Sequence, residues 1–180
     1  MIRLPIATLL LSLSIAPVLA TTQTAPTTMA ANALPKVLNA TEAGPYLPPA
    51  VFFRGQSASV QARNSGGVQF SKDAMLLAML VDTSGYSSTI QEKYQGYLLT
   101  EVPIDFAGHR LLPGAYGFGF ISGDNFIVMD IGGHDLFTVT STKDSALKRP
   151  MPLQVLSSPG SANRYRLYAG RNFVEFSELR

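Results

Sequence analysis

The sequence contains no cysteine and no tryptophan. Without cysteine the chain forms no disulfide, offers no thiolate to a metal, has no cysteine nucleophile and cannot carry a lipid on an N-terminal cysteine. Disulfide-stapled domains, thiolate metal sites and cysteine-dependent enzymes are therefore excluded. A fold made from these residues depends on its apolar core alone.

Charge is also scarce, and its two signs nearly cancel. Asp, Glu, Lys and Arg make up 14% of the 180 residues, and the formal net charge is +2. The densest basic spot is only Lys148-Arg149, so the clustered Lys and Arg that nucleic-acid binding requires are missing. We expect no nucleic-acid partner.

The only long apolar run is at the N-terminus, and it has the pattern of a secretory signal peptide over residues 1–20. Arg3 precedes an apolar run over residues 4–18, and Val18-Leu19-Ala20 suits cleavage after Ala20. Serines and a proline interrupt the run, which falls short of the ~18–20 unbroken apolar residues of a membrane-spanning helix. We predict an exported protein, periplasmic or extracellular, with no membrane span after signal removal.

Residues 21–50 are rich in threonine, alanine and proline and show no sustained period of either a helix or a strand. This composition is typical of a flexible linker. We therefore predict a disordered tether over residues 21–50, followed by a single folded domain over residues 51–180, which is long enough to bury a core.

Glycine-led turns are the clearest structural signal in the predicted domain. In "YRLYAGRNFVEF", a type II′ turn at Gly170-Arg171 places Leu167 opposite Val174 and Arg166 opposite Glu175. One face of this hairpin is then apolar, and the other carries an ion pair. A shift of one residue would destroy that separation, so pattern and turn chemistry agree.

In the stretch "LPGAYGFGF", Gly117 and Gly119 are spaced by two, which is the period of a strand and not of a phosphate-binding loop. A turn at Gly123-Asp124 would place Phe120 opposite Ile127 and Gly119 opposite Val128. Further turns are predicted at Gly108-His109 and over residues 64–67. Several short strands joined by such turns favour an all-β fold.

We predict an antiparallel β-sandwich, with a small β-barrel as the alternative. Residues 74–82 are rich in helix formers, but their short unbroken apolar run is typical of a strand buried on both faces, and we interpret them as a strand. A capping pattern at Ser141 and Asp144, followed by basic residues and Pro150, predicts one short connecting helix near 142–149.

The segment "FAGHRLLPGAYGFGF" and the following "FIVMDIGG" together resemble a group of uncharacterised secreted bacterial β-sandwich proteins over about residues 106–133. The shared pattern is G-x-x-L-P-x-G-x-Y, matched here by Gly108, a leucine at 111 or 112, Pro113, Gly114 and Tyr116. The tryptophan expected in the second strand is missing. The resemblance implies a sandwich and export, and it implies no activity.

Asp130, His134 and Asp135 surround a glycine pair in "DIGGHD". Carboxylates and an imidazole suit a divalent metal, so a metal-dependent hydrolase centred on Asp130 and His134 is one hypothesis. No second histidine lies at a recognised ligand spacing, and Asp and Gly commonly form turns. We prefer the interpretation of a strand end whose carboxylates cap turns, and we predict neither metal nor cofactor.

Tyr168 and Phe173 share the polar face of the predicted C-terminal hairpin, and Tyr86, Tyr94 and Tyr97 group elsewhere. Such rings stack on sugars or on a partner protein when exposed, and a loop or the tether covers them when they are structural. From these observations we expect an exported non-catalytic binding or structural module of the cell envelope. A carbohydrate and an envelope protein are the candidate partners.

Overall fold

The computed structural model describes residues 34–179. The predicted signal peptide, and residues 21–33 of the predicted tether, lie outside the described residues. None of the described helices is long and apolar enough to cross a membrane. The helices are α1 (Ala40–Ala43) and α2 (Ser88–Gln91), with a 3₁₀ turn over Gly44–Tyr46.

Strands dominate the described part. They are β1 (Lys36–Leu38), β2 (Ala50–Phe53), β3 (Gln56–Ser71), β4 (Ala74–Val81), β5 (Gly96–Thr100), β6 (Ile104–Phe106), β7 (His109–Leu111), β8 (Gly114–Ile121), β9 (Asn125–Met129), β10 (Asp135–Thr140), β11 (Thr142–Lys143), β12 (Met151–Ser157), β13 (Arg164–Gly170) and β14 (Asn172–Glu178).

These strands form two antiparallel sheets. The first has eight strands in the order β1-β3-β4-β5-β8-β9-β10, with β2 also paired to β3. The second has six strands in the order β12-β13-β14-β6-β7, with β11 also paired to β14. The predicted all-β sandwich is confirmed, and the two sheets do not close into the alternative small barrel.

The main core lies between the two sheets, where inward side chains alternate with outward ones along each strand. The eight-stranded sheet contributes Val68, Leu76, Ala78, Leu98, Phe118, Phe126 and Val128. The six-stranded sheet contributes Ile104, Phe106, Leu153, Leu167, Val174 and Phe176.

A second apolar layer covers the opposite face of the eight-stranded sheet. Strand β4 shows why this layer is needed, because Leu76 faces the main core while Leu77 and Met79 belong to the second layer. The predicted strand over residues 74–82 is therefore confirmed, and it is buried on both faces. The helix propensity of these residues is overridden because, as a strand, the run places apolar side chains on both faces of the sheet.

The folded part begins earlier than predicted. Strand β1 pairs with β3, and α1 follows with a capping box in which Asn39 and Glu42 bind each other's backbone N–H groups. Leu38 and Ala43 are buried in the second layer. The prediction of a tether up to residue 50 is wrong for residues 36–46, since elements of three or four residues show no readable period.

The hairpin β13–β14 has the predicted register, with Leu167 opposite Val174 and Arg166 opposite Glu175. Gly170 opens the turn with φ of 60°, a conformation that glycine adopts without strain. The turn residue and the pattern on the two faces were sufficient to predict this hairpin correctly.

The hairpin β8–β9 differs from its predicted register by one residue. Phe120 lies opposite Phe126, and Gly119 lies opposite Ile127. The connecting turn spans the three residues Ser122–Asp124, the last two at positive φ, whereas two were predicted. The longer turn places Phe126 on the same face as Phe120, so that both pack against the main core.

The glycines of β8 leave room on the second-layer face. A Cβ atom on Gly119 would overlap the backbone carbonyl of Lys93, and one on Gly117 would collide with the ring of Phe53. The strand interpretation of this stretch is confirmed. The neighbour that presses on Gly119 is the Lys93 backbone and not the predicted Val128.

The hairpin β6–β7 is also displaced by one residue. Phe106 lies opposite His109, so the turn is Ala107-Gly108 and not Gly108-His109. Ala107 has φ of 50° and Gly108 has φ of 92°. Two consecutive positive φ angles define a type I′ turn, which matches the twist of a hairpin.

The predicted turn over residues 64–67 is wrong, because these residues lie inside the continuous strand β3, beside a bulge. The glycines serve a close approach of backbones. A Cβ atom on Gly67 would collide with the carbonyl of Leu76, and one on Gly66 would lie 3.1 Å from the backbone nitrogen of Val155.

The helix predicted near 142–149 is also wrong. Thr142 and Lys143 form β11, and the following residues form a turn. Asp144 does accept from the N–H groups of Ala146 and Leu147, as a helix cap would. Arg171 then donates to carbonyls of this turn, including that of Leu147, which satisfies them without a helix.

We expect Gly119→Val to lower the free energy of unfolding by about 1–3 kcal/mol through overpacking, despite the better strand propensity of valine. Thermal or urea unfolding measures the effect. Gly85→Ala is the control, because the nearest atom to its Cβ position is Gln56 Oε1 at 3.7 Å, an ordinary contact. A Gly119→Val protein as stable as the parent would contradict the packing explanation.

We expect Ala107→Asn to raise the free energy of unfolding by about 1 kcal/mol, because asparagine tolerates the left-handed region better than alanine does. Ala107→Val should have the opposite effect, since a β-branched side chain is strained at this φ. Urea unfolding of both variants provides the measurement. If the asparagine variant were the less stable of the two, the type I′ turn would be the wrong description.

Candidate functional site

Asp130 and His134 bind each other across the turn between β9 and β10. Asp130 Oδ1 accepts from the backbone N–H of His134 at 2.9 Å, and Oδ2 lies 2.9 Å from His134 Nδ1. The backbone bond and the imidazole contact hold the pKa of the Asp130 carboxyl below its usual range. The His134 side chain is 82% exposed, so this arrangement is a capped surface turn.

Asp135 does not join this pair, because its carboxylate binds Lys93 Nζ at 2.6 Å. Within residues 34–179 no group of three His, Cys, Asp or Glu side chains is placed to hold a metal ion. The three donors adjacent in sequence are thus divided between two separate surface contacts.

Tyr168 and Phe173 lie together, with ring centroids 5.1 Å apart, but they are only 2% and 8% exposed. The turn after β11 covers them, and the Tyr168 hydroxyl donates to Asp144 Oδ2 at 2.9 Å. Burial raises the pKa of Tyr168. These rings are therefore part of the protein interior and are unavailable for stacking on a ligand.

The outer face of the six-stranded sheet carries the polar side chains that the core excludes. Register places Arg164 opposite Ser177, and Ser177 opposite Asp105, so the three residues form a row across β13, β14 and β6. We call this row the polar row. It borders a concavity of about 330 Å³, whose rim also includes Gly108 and Glu175.

Glu175 anchors one side of this concavity. Its Oε1 accepts from Ser158 Oγ at 2.7 Å and from Arg166 Nε at 3.0 Å, while Oε2 lies 3.4 Å from Arg164 Nη1. The Ser158 bond, supported by the two guanidinium groups, lowers the pKa of the Glu175 carboxyl. Glu175 is therefore a charged acceptor at neutral pH and is already occupied by protein donors.

Arg166 is fixed more firmly than Arg164. Its guanidinium carbon lies 4.2 Å from the centre of the Phe173 ring, and its side chain is 21% exposed. The Arg164 side chain is 57% exposed. Arg166 therefore belongs to the scaffold, and Arg164 is available to a molecule in the concavity.

Sequence reasoning did not identify the polar row. The predicted hairpin already paired Arg166 with Glu175, and this pair could have indicated the side of the concavity that Glu175 forms. Asp105 joins the row only because β6 lies beside β14 in the sheet. The pairing of β6 with β14 joins residues some seventy positions apart, so the sequence around either strand contains no pattern that indicates it.

Comparisons with family models, with curated proteins and with solved structures give no match to this chain.

We expect Glu175→Gln to lower the free energy of unfolding at pH 7 by about 1–3 kcal/mol, because three donors lose a charged acceptor. Folding lowers the pKa of Glu175, so its contribution is complete above the ordinary glutamate pKa of 4.5 and is lost as the pH falls through the lower folded-state value.

The difference between the parent and Glu175→Gln should therefore shrink as the pH falls below 4.5. Urea unfolding at several pH values measures it. Glu92→Gln is the control, since the Glu92 carboxylate makes no hydrogen bond or ion pair within the described part of the chain. A difference for Glu175→Gln that is independent of pH would contradict the network described above.

Proposed function

We propose that this protein is an exported, non-catalytic binding module of the cell envelope, and that its ligand binds in the concavity beside the polar row. The N-terminal signal pattern supports export. The observation that carries the binding proposal is a row of polar side chains that contacts within residues 34–179 satisfy only in part.

Each member of the polar row keeps unused hydrogen-bonding capacity. Arg164 makes one long contact, at 3.4 Å, and has five N–H donors. Asp105 uses Oδ1 to accept from the Gly108 N–H at 3.1 Å, and Oδ2 has no bond within residues 34–179. The Ser177 hydroxyl likewise has no partner in this part of the chain. Donors and acceptors are thus presented side by side.

The charges of the row indicate the class of ligand. An anion would be attracted by Arg164 but repelled by Asp105, and a cation would meet the reverse. A neutral hydroxyl group both donates and accepts, so it satisfies both side chains at once. We therefore propose a neutral polyhydroxylated ligand, which is a carbohydrate in its chemistry.

The shape of the site agrees with this assignment. Apart from Gly108 and its two chain neighbours, no heavy atom of the described residues lies within 4 Å of the position of a Cβ atom on Gly108, so the turn leaves space at the rim. The opposite wall is held by the bonds of Glu175 to Ser158 and Arg166. A preformed wall reduces the entropy that binding costs.

The alternative function, a metal-dependent hydrolase centred on Asp130 and His134, receives no support from the geometry. His134 Nδ1 is directed at Asp130, and Asp135 is bound to Lys93. The resemblance to secreted β-sandwich proteins agrees with the proposed export and adds no activity.

The binding proposal is tested by adding cellotriose, N-acetylated chitotriose or trigalacturonate to the ¹⁵N-labelled protein at millimolar concentrations. We expect a neutral trisaccharide to shift the amide signals of Gly108 and Ser177. Arg164→Ala and Asp105→Asn should each weaken binding about tenfold, which corresponds to one lost hydrogen bond to a charged group.

Arg63→Ala is the matched control, because Arg63 is an exposed arginine outside the site and its loss should leave binding unchanged. Binding of trigalacturonate alone, strengthened by Asp105→Asn, would instead indicate an anion site and overturn the ligand class. No amide shift with any of the three would overturn the binding proposal.

A further inference from the structure

A second feature of the molecule is the unprotected edge of the eight-stranded sheet at β10. Exposed edges invite pairing with another chain, and proteins usually shorten, charge or cover them. The other terminal strands of the described part follow this rule. β1 and β7 have only three residues each, and β12 contains Pro152 and lies against β3. β2 has two carbonyls that accept from Tyr86 and Tyr97.

Within residues 34–179, strand β10 has none of these protections from Phe137 onward. It has six residues, with neither lysine nor proline. Its only charged residue, Asp135, is neutralised by Lys93 at 2.6 Å. The remaining side chains that point away from the main core include Thr138 and Thr140, both exposed.

The direction of the backbone groups in β10 follows from the register. The Ser141 N–H donates to the Asp124 carbonyl at 2.7 Å, which continues the pairing of Thr140 with Asn125. Hydrogen-bonded pairs alternate along an antiparallel ladder. Thr138 and Thr140 therefore turn their N–H and C=O groups away from β9, toward the open edge.

A groove lined by both apolar and polar side chains lies beside this edge, where β10 and β7 form the open side of the sandwich. We call it the open seam. It has a volume of about 360 Å³ and includes Leu112, Leu136 and Phe137. Leu112 is 57% exposed and Leu136 is 46% exposed. A bulge between Asp135 and Phe137 displaces Leu136 from the ladder.

Arg110 lines the open seam and makes no ion pair or hydrogen bond within residues 34–179, although the register of β6 and β7 places it opposite Asp105. His109 lies against Phe137, with ring centroids 4.7 Å apart, and supports the wall of the groove. The complementary occupant therefore combines an apolar side chain for the seam with a carboxylate for Arg110.

We infer that β10 accepts an extended peptide segment of a partner protein as an added strand. The main chain of the segment pairs with Thr138 and Thr140. An apolar side chain enters the open seam between Leu112 and Leu136, and an acidic side chain meets Arg110. Main-chain bonds supply affinity in this mode of recognition, and the seam supplies selectivity.

The test uses a fluorescent, acetylated and amidated heptapeptide in which valine alternates with threonine around one central glutamate. Binding to the full mature chain is followed by anisotropy. Thr138→Pro removes an N–H group that points away from β9, so it spares the β9 ladder and should weaken binding at least tenfold. Thr138→Ala keeps the N–H and should bind within twofold of the parent.

Hydrogen exchange provides a second measurement that does not depend on the proline variant. The peptide should slow exchange of the Thr138 and Thr140 amides, while the amides of Arg164 and Ser177 are unaffected. The same peptide with glutamine in place of glutamate should bind the parent protein more weakly than the glutamate peptide does. The Arg110→Ala protein should bind the two peptides with equal affinity.

Three results would overturn the inference. The first is no binding of the peptide at millimolar concentration, and the second is binding that Thr138→Pro leaves unchanged. The third is a dimer of the protein alone, seen by analytical ultracentrifugation and abolished by Thr138→Pro, which would assign the edge to a second copy of this chain. None of these results depends on whether the concavity binds a sugar.

Discussion

The eight-stranded sheet carries apolar side chains on both faces, and the remaining structure is arranged to cover it. Leu76 and Ala78 point to the main core, while Leu77 and Met79 point the opposite way. Neither face of such a sheet can be left exposed to solvent, because both faces are apolar. The six-stranded sheet covers one side, and the second layer, which includes Phe53, Tyr86 and Tyr94, covers the other.

Close packing of the second layer explains features that are unusual when considered alone. The ring of Phe53 stacks on Tyr94 with centroids 3.8 Å apart, directly over Gly117 of β8. A side chain on Gly117 would occupy the space of that stack. The glycine spacing of this strand is thus a consequence of covering the sheet on both sides.

The six-stranded sheet has the opposite arrangement, since only its inner face is needed by the core. Its outer face is therefore free to hold Glu175 with its three donors, and the polar row beside it. The proposed ligand site and the inferred strand-binding edge belong to different sheets. One depends on side chains of a polar face, and the other on main-chain groups that β10 leaves unpaired.

The sequence alone determined the features that local periodicity and turn chemistry specify. These are the all-β class, the buried strand over residues 74–82 and the hairpin at Gly170, where alternation and a glycine turn agree within a dozen residues. The Gly123 hairpin was found but displaced by one residue, because a glycine marks a turn without specifying its length.

Tertiary structure alone decided which distant residues meet. Strand order placed Asp105 beside Ser177. The Arg171 guanidinium donates to carbonyls of a turn whose sequence resembles the start of a helix. Leu38, in a segment predicted to be a threonine-rich tether, is buried in the folded part. Each of these contacts is selected by apolar burial and backbone pairing between strands far apart in the chain. Such contacts leave no repeating pattern in the sequence around any one residue, so the candidate site could be recognised only once the sheets were assembled.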